Sequence, residues 1–265
     1  MHHLEDILIF QNILESIEEP DDGGGNPGRL LTEVGRYFLD APYAGQILEQ
    51  EGPESLIINL RAFDCFTYVE NCLTISLMIP SRKRSWNDFT ALLTRIRYRN
   101  GLLEGYASRL HYFSDWLMNN ARKEILQHMT QDLGGISYIK NIDYMTKNPH
   151  LYPPLSDPAI ARQIEEVEHE LTDQPVYYIP TAAFDQQECR IKDGDIIGIT
   201  SATAGLDVLH AGLAIRQGND DALHLLHASE QAGKVIISEE TLGDYLRANE
   251  VRTGVMVGRI RKGTR

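Results

Sequence analysis

Leu60-Arg61-Ala62-Phe63-Asp64-Cys65-Phe66-Thr67-Tyr68-Val69-Glu70 is the stretch from which the fold is read. An extended, apolar-leaning run from Ser55 to Leu60 gives way there to a helical pattern. Asp64 suits the N-cap, because its side-chain oxygen can accept a backbone N–H of the first turn. Cys65 then takes the first helical position. A thiol there meets unpaired N–H groups and the positive end of the helix dipole, and both favour thiolate. An arbitrary cysteine is more often a buried core residue. The position after a cap, together with histidines far downstream, turns the reading toward a nucleophile.

Outward from this point the chain is helical on both sides. The Cys65 helix is expected to run to about Ile79 and stop at Pro80. Leu4, Ile7, Leu8, Ile13, Leu14 and Ile17 mark a first helix; Leu30, Leu31, Val34, Tyr37 and Phe38 mark a second. Between them, Asp21-Asp22-Gly23-Gly24-Gly25-Asn26-Pro27-Gly28 reads as a flexible connection, since it lacks the Lys-Ser/Thr ending of a phosphate loop. Ser85-Trp86-Asn87-Asp88 has the form of a capping box before Phe89, Leu92, Leu93 and Ile96. Residues 100–155 resist assignment, and such aromatic, irregular segments often carry ligand contacts. Asp157-Pro158 opens a further helix through Ile160, Ile164, Val167 and Leu171.

After Pro175 the period changes. Val176–Ile179, Asp195–Thr200, Val208–Arg216, Ala222–Ser229, Lys234–Ser238 and Val251–Ile260 read as strands, interrupted by a short helix at Glu240–Arg247. Helices first and antiparallel strands second is an α+β order. No long linker separates the halves, so residues 1–265 are expected to form a single domain. Within it, 1–28 hold a first helix and flexible connection, 29–174 a mainly helical part with the nucleophile, and 175–265 a mainly β part with the histidines.

Bulk properties narrow the function. The 265 residues are 42% hydrophobic, enough for a substantial core, and carry a net charge of −13 from 25 Lys+Arg against 38 Asp+Glu. That balance argues against nucleic acid as the partner. Cys65, Cys72 and Cys189 make no disulfide framework; Cys72 lies two helical turns, roughly 10 Å, beyond Cys65. No apolar run approaches a membrane span. The start, Met1-His2-His3-Leu4-Glu5-Asp6, lacks the basic opening of a signal peptide.

In Val208-Leu209-His210-Ala211-Gly212-Leu213-Ala214-Ile215, alternation puts Leu209, Ala211, Leu213 and Ile215 on one face. His210 shares the other with Gly212 and Ala214, small residues that leave room beside it. The next strand, Ala222-Leu223-His224-Leu225-Leu226-His227-Ala228-Ser229, carries two histidines three apart, so only one of them can face the site with His210. A lone histidine is more often structural. A cysteine at a helix start with histidines on neighbouring strands supplies a nucleophile, a base and a group to orient the base.

Asp64-Cys65, His210-Ala211-Gly212 and Leu226-His227-Ala228-Ser229 resemble the NlpC-type papain-like cysteine peptidases, which cut peptidoglycan stem peptides. Further segments are similar to that superfamily's N-acetylmuramoyl-L-alanine amidase-like branch. They include Pro42-Tyr43-Ala44-Gly45, Asn59-Leu60-Arg61, Ser108-Arg109-Leu110-His111-Tyr112, Asp115-Trp116, Tyr144-Met145 and Leu206-Asp207-Val208, and the likeness runs from about residue 30 onward. Phe66-Thr67 after the cysteine departs from the common Cys-Ser-Gly and suits the amidase-like branch.

The resemblance implies a papain-like fold, a nucleophile-bearing helix packed on an antiparallel sheet with extra N-terminal helices. It implies Cys65 as nucleophile, His210 as base and His227 rather than His224 as its orienter. Tyr43 is either a phenolic donor to the oxyanion or an ordinary loop tyrosine. Asp64, Arg109, Trp116 and Tyr144 are expected at the substrate, Trp116 as a sugar-stacking or a core aromatic. No cofactor or metal is implied. The expected partners are peptidoglycan fragments (muropeptides, including anhydro forms), with no nucleic acid and no membrane span; protein partners are not specified. The branch is usually exported, so the protein is expected to be periplasmic or secreted if a leader has been removed, and cytoplasmic if this N-terminus is native. The expected reaction is hydrolysis of the amide between N-acetylmuramic acid and L-alanine. Three rivals stand beside it: an endopeptidase cutting D-Glu-diaminopimelate, a non-catalytic wall-binding module, and a metal hydrolase built from His210, His224 and His227, which strand parity disfavours.

Overall fold

The computed structural model describes residues 4–18, 26–50, 52–81, 84–218 and 221–261. The six predicted strands are present as β3 (Val176–Pro180), β4 (Ile196–Ser201), β5 (Val208–Gln217), β6 (Ala222–Ser229), β7 (Lys234–Ile237) and β8 (Arg252–Ile260). The helical half adds two short ones, β1 (Leu126–His128) and β2 (Ile136–Tyr138). All pairings are antiparallel, in the order β2-β3-β8-β4-β5-β6-β7. β1 pairs with the end of β8, opposite Gly258–Ile260.

Alternation along these strands is apolar on both faces, so both must be covered. One face carries Ala211, Leu213, Ile215, Leu226 and Met256, and meets the helices of the first half. α3 (Cys65–Met78) lies centrally there, against β5 and β6 and beside α2 (Pro27–Tyr37) and α4 (Trp86–Arg97). It is buried almost all round from Thr67 to Met78, and polar side chains within it turn back to its own carbonyls: Asn71 Nδ2 donates to Thr67 O, Thr74 Oγ1 to Glu70 O and Ser76 Oγ to Leu73 O. Gly35 of α2 permits close packing: a Cβ there would lie 2.7 Å from the Tyr68 hydroxyl and 2.9 Å from Leu226. The opposite face carries Ile197, Ile199, Ala214, Leu223, Leu225, Val255 and Val257. It is capped by α9 (Leu242–Arg247) through Leu242 and Leu246, and by Phe184 of α8 (Phe184–Gln187).

α1 (Leu4–Ser16) has a role beyond packing. Its Asp6 is buried, and its Oδ1 accepts the Leu60 amide at 2.9 Å and Arg61 Nε at 3.1 Å, pinning the segment that leads into Cys65. The connection expected at residues 21–28 lies outside the described residues up to Gly25. Asn26-Pro27-Gly28 instead starts α2: Asn26 caps it through Gly28 N at 3.1 Å, with Pro27 at N1.

The segment that resisted assignment contains α5 (Phe113–Arg122), α6 (Tyr144–Lys147) and several 3-10 turns. With α7 (Pro158–Thr172) it forms a separate cluster of Tyr106, Tyr112, Ile142, Met145, Leu155, Ile164 and Leu171. Glu168 of α7 organises it. Buried Glu168 Oε1 accepts the Tyr112 hydroxyl at 2.6 Å and the amides of Met145 at 3.0 Å and Thr146 at 3.1 Å. Those bonds hold the first turn of α6, a helix too short to stand alone.

Candidate active site

The cap of α3 sets the thiol's position. Asp64 Oδ1 accepts the amides of Phe66 at 3.0 Å and Thr67 at 2.7 Å, and Thr67 Oγ1 accepts the Asp64 amide at 3.1 Å. This capping box claims the second and third amides of the helix and leaves that of Cys65. Cys65 is half-buried, and the amides of Ala211 and of Cys65 itself lie near enough to its sulfur to favour the thiolate. The nucleophile candidate therefore lies against β5, one residue from His210.

The strands open where it sits. The β5–β6 ladder covers Leu213–Gln217 and Ala222–Leu226 and stops there among the described residues, while β6 continues its pairing with β7 through Ser229. Beyond the ladder, His210 Nε2 and His227 Nδ1 are 2.6 Å apart, with the rings edge to face at 4.7 Å. Gly212 allows this approach, since a Cβ there would lie 2.9 Å from His227 Cβ. The room predicted beside His210 is thus taken by His227, and Ala214 is buried in the second core. Leu209 also departs from simple alternation. The β4–β5 register passes from Ile199↔His210 to Thr200↔Val208, so Leu209 is an extra residue and turns to the second core. His224 points away: its Nδ1 lies 2.9 Å from Ser238 O and 3.1 Å from Glu240 O, tying β6 to the turn before α9.

Burial decides the resting charges. The Cys65 thiol is pushed up to about 12, first by burial and then by Asp64, against the pull of the two amides. The expected helix-terminus effect is present but loses to desolvation, so the resting form is the thiol. His210 is pulled down to about 3 by burial, then by His227 and Arg252. His227 is pulled down to about 4 by burial and Arg252. At neutral pH the three groups are an uncharged thiol and two uncharged imidazoles.

Tyr43 is brought in by its backbone N–H, which donates to Gly233 O at 2.8 Å, and by a parallel bridge to Phe63. Its phenol is pushed up to about 12 by burial, then by Cys65, Glu230 and Asp64, so it stays a neutral donor near the sulfur.

On the Asp64 side of the sulfur is a cavity of about 150 Å³, walled by Asp64, Phe66, Glu70, Arg97, Arg109 and Tyr112 among others. Arg109 lines it but is held in place: Nη1 donates to Leu48 O at 2.8 Å, Nη2 to Glu49 Oε1 at 2.7 Å, and Nε lies 3.6 Å from Glu54. Tyr144 is half-buried in the α6–α7 cluster, and the neighbouring cavity wall is Met145 and Tyr152 instead. Trp116 corrects the sugar-stacking expectation. It is 0% exposed, edge to face with Phe66 at 5.5 Å, and has no surface to offer a sugar. Past the histidines lies a second cavity of about 510 Å³, which His210 and His227 share with Tyr245 and Arg252. Sequence reading missed these last two; neither stands in a spacing that marks chemistry.

Known proteins were compared with this chain. A family model described as AmiA-like, N-acetylmuramoyl-L-alanine amidase-like, matches residues 33–255. The chain is similar to a crystal structure of an N-acetylmuramoyl-L-alanine amidase from Bacteroides uniformis, with 39% identity, 90% of this chain and 100% of that one covered, and a TM-score of 0.84. A Bacteroides fragilis structure described as a candidate xylanase is 38% identical, with 86% and 99% covered and a TM-score of 0.80. A Legionella pneumophila protein at 21% identity shares the fold, with 97% and 94% covered and a TM-score of 0.70. No curated protein matches. By the extent of the family match and the identity to the Bacteroides uniformis amidase, this chain belongs to the AmiA-like, N-acetylmuramoyl-L-alanine amidase-like family.

Proposed function

We propose that this protein is a cysteine-dependent amidase that hydrolyses the bond between the lactyl carbonyl of N-acetylmuramic acid and L-alanine in muropeptides. The observation that carries the reading is the Cys65 sulfur against the Ala211 amide, one residue from His210, whose Nε2 is bonded to His227. A nucleophile at a helix start with its base on the adjoining strand supports the papain-like, NlpC-type assignment. The family membership supports the choice of bond.

The mechanism uses the tautomer in which His210 Nε2–H donates to His227 Nδ1, which leaves His210 Nδ1 as the base. As the substrate carbonyl docks, His210 takes the thiol proton and the sulfur adds to the carbonyl carbon. The negative charge that develops on oxygen is met by the Cys65 amide and the Tyr43 phenol. The imidazolium then gives its proton to the alanine nitrogen, the C–N bond breaks, and the peptide leaves as an amine. A thioester remains on Cys65. Water attacks it, giving one proton to His210; the C–S bond breaks, the sulfur recovers that proton from His210, and the sugar departs as its carboxylate, the second water proton passing to solvent. Starting from an uncharged pair suits this sequence, because charge appears only when the oxyanion donors can stabilise it.

Digestion of defined muropeptides, read by product mass, tests the bond. The expected products are a muramyl sugar with a free lactyl carboxylate and a stem peptide beginning with L-alanine. A sugar still bearing L-Ala-D-Glu would replace this reading with the endopeptidase one.

A further inference from the structure

Among the described residues, the 510 Å³ cavity beyond the histidines has one permanently charged cation in its wall, Arg252 at the start of β8. Its guanidinium carbon lies over the Tyr245 ring, 3.6 Å from the centroid, and Nη1 donates to the Tyr245 carbonyl. These two contacts restrain the fork. Arg252 Nε has no hydrogen-bond partner but is closed to solvent, so with Nη1 on the Tyr245 carbonyl it is Nη2 that the guanidinium can offer the cavity, and no carboxylate among the described residues lies within ion-pair distance of it. Arg97 and Arg109 also leave one buried nitrogen each unbonded, but both have a carboxylate partner, Glu70 at 2.6 Å and Glu49 at 2.7 Å, which half-buried Arg252 lacks. A held, unmatched guanidinium beside the acid–base histidines is the form of a carboxylate receptor.

Direction identifies whose carboxylate it is. In the proposed mechanism His210 gives its proton to the leaving nitrogen, which puts the departing peptide beside the cavity that His210 and His227 line. Glu230, Glu239 and Glu240 are exposed along the rim and disfavour a polyanion, which leaves a single carboxylate as the fitting group.

Resting on the amidase reading above, we propose that Arg252 is a specificity residue of the leaving-group side: it binds the free carboxylate of the acidic residue that follows L-alanine in the stem peptide.

The test compares N-acetylmuramyl-L-alanyl-D-glutamate with N-acetylmuramyl-L-alanyl-D-isoglutamine, which differ only in that carboxyl group. Wild type is expected to favour the acid by about tenfold or more in kcat/KM, chiefly through KM, as for loss of a charge-assisted contact. In Arg252→Ala the acid-to-amide ratio should collapse toward one, and Arg252→Lys should recover part of it. If Arg252 only supports Tyr245 and the sheet, both substrates lose equally and the ratio stays at its wild-type value; that result overturns the proposal, as does equal wild-type use of the two. Calorimetric binding of L-Ala-D-Glu and L-Ala-D-isoglutamine to wild type and Arg252→Ala reads the same preference without turnover. Wild type that cleaves neither substrate but binds the acidic dipeptide through Arg252 would refute the amidase reading and leave the carboxylate site standing.

Discussion

The Cys65 sulfur is held between opposed influences, and their balance has measurable consequences. Two amides draw it toward thiolate, while burial and the Asp64 charge push it up to about 12. The histidines sit equally far the other way, at about 3 and about 4. In the proposed mechanism His210 is therefore already unprotonated well below neutrality. A pH profile of kcat/KM should show no acid limb near 6.5 and should fall only toward pH 4 and below. The sign for stability is the same. The unfolded chain binds protons on these histidines below about 6.5, the folded one only near 3 to 4, so their contribution is intact above 6.5 and is lost as pH falls through that window. An acid limb at 6.5 would mean that the histidines are not desolvated as described. Alkylation follows from exposure and charge together. Cys189 is exposed, Cys72 is buried, and Cys65 is a half-buried thiol. Iodoacetamide should label Cys189 first without loss of activity; inactivation should track the slower modification of Cys65, and Cys72 should stay unlabelled in the native protein. Peptide mapping against time checks that order. The capped position of Cys65 was legible because a cap is local chemistry. Its titration was not, since the groups that desolvate it come from β5 and from the Tyr43 segment, far away in the chain.

Elements were legible where their period was long. The strands from β3 to β8 and the helices α1 to α4 and α7 follow directly from alternation and caps. The Leu209 bulge was not, because it depends on how β4 meets β5. Nor was α6, whose first turn Glu168 holds from 22 residues or more away. The splay of β5 from β6 is the element-scale feature that makes the site, and Gly212 is its weak point. Gly212→Ala would put a methyl group 2.9 Å from His227 Cβ and from Leu225. The strand pair should shift His227 away from His210, lowering kcat by about tenfold or more while costing about 1–3 kcal/mol of stability. Kinetics beside urea unfolding would read both; a variant with unchanged kcat would show that the His210–His227 contact does not matter to turnover.

On the scale of the whole molecule, two helices and the lead into Cys65 are locked together behind the thiol. Glu70 of α3 and Arg97 of α4 form a buried ion pair at 2.6 Å, and Arg97 also reaches the carbonyl of Ile57 in the strand-like lead to Cys65. Glu70→Ala strands a buried guanidinium and should cost about 3–5 kcal/mol in urea unfolding, against about zero for an exposed pair such as Arg29–Glu33. A small cost would mean that water reaches the pair. Arg252 and Tyr245 could not be found from sequence for the same global reason: only the sheet order, β8-β4-β5-β6, brings them to the histidines. The central claim remains that one sulfur does the chemistry. The measurement that tests it most directly is kcat/KM of Cys65→Ala on a defined muropeptide, with circular dichroism and thermal unfolding to show that the variant is folded. The account predicts a loss of about a thousandfold or more at unchanged fold, as for other activated nucleophiles that act with a paired base. A folded Cys65→Ala protein that releases L-alanyl peptide at near the wild-type rate would contradict it.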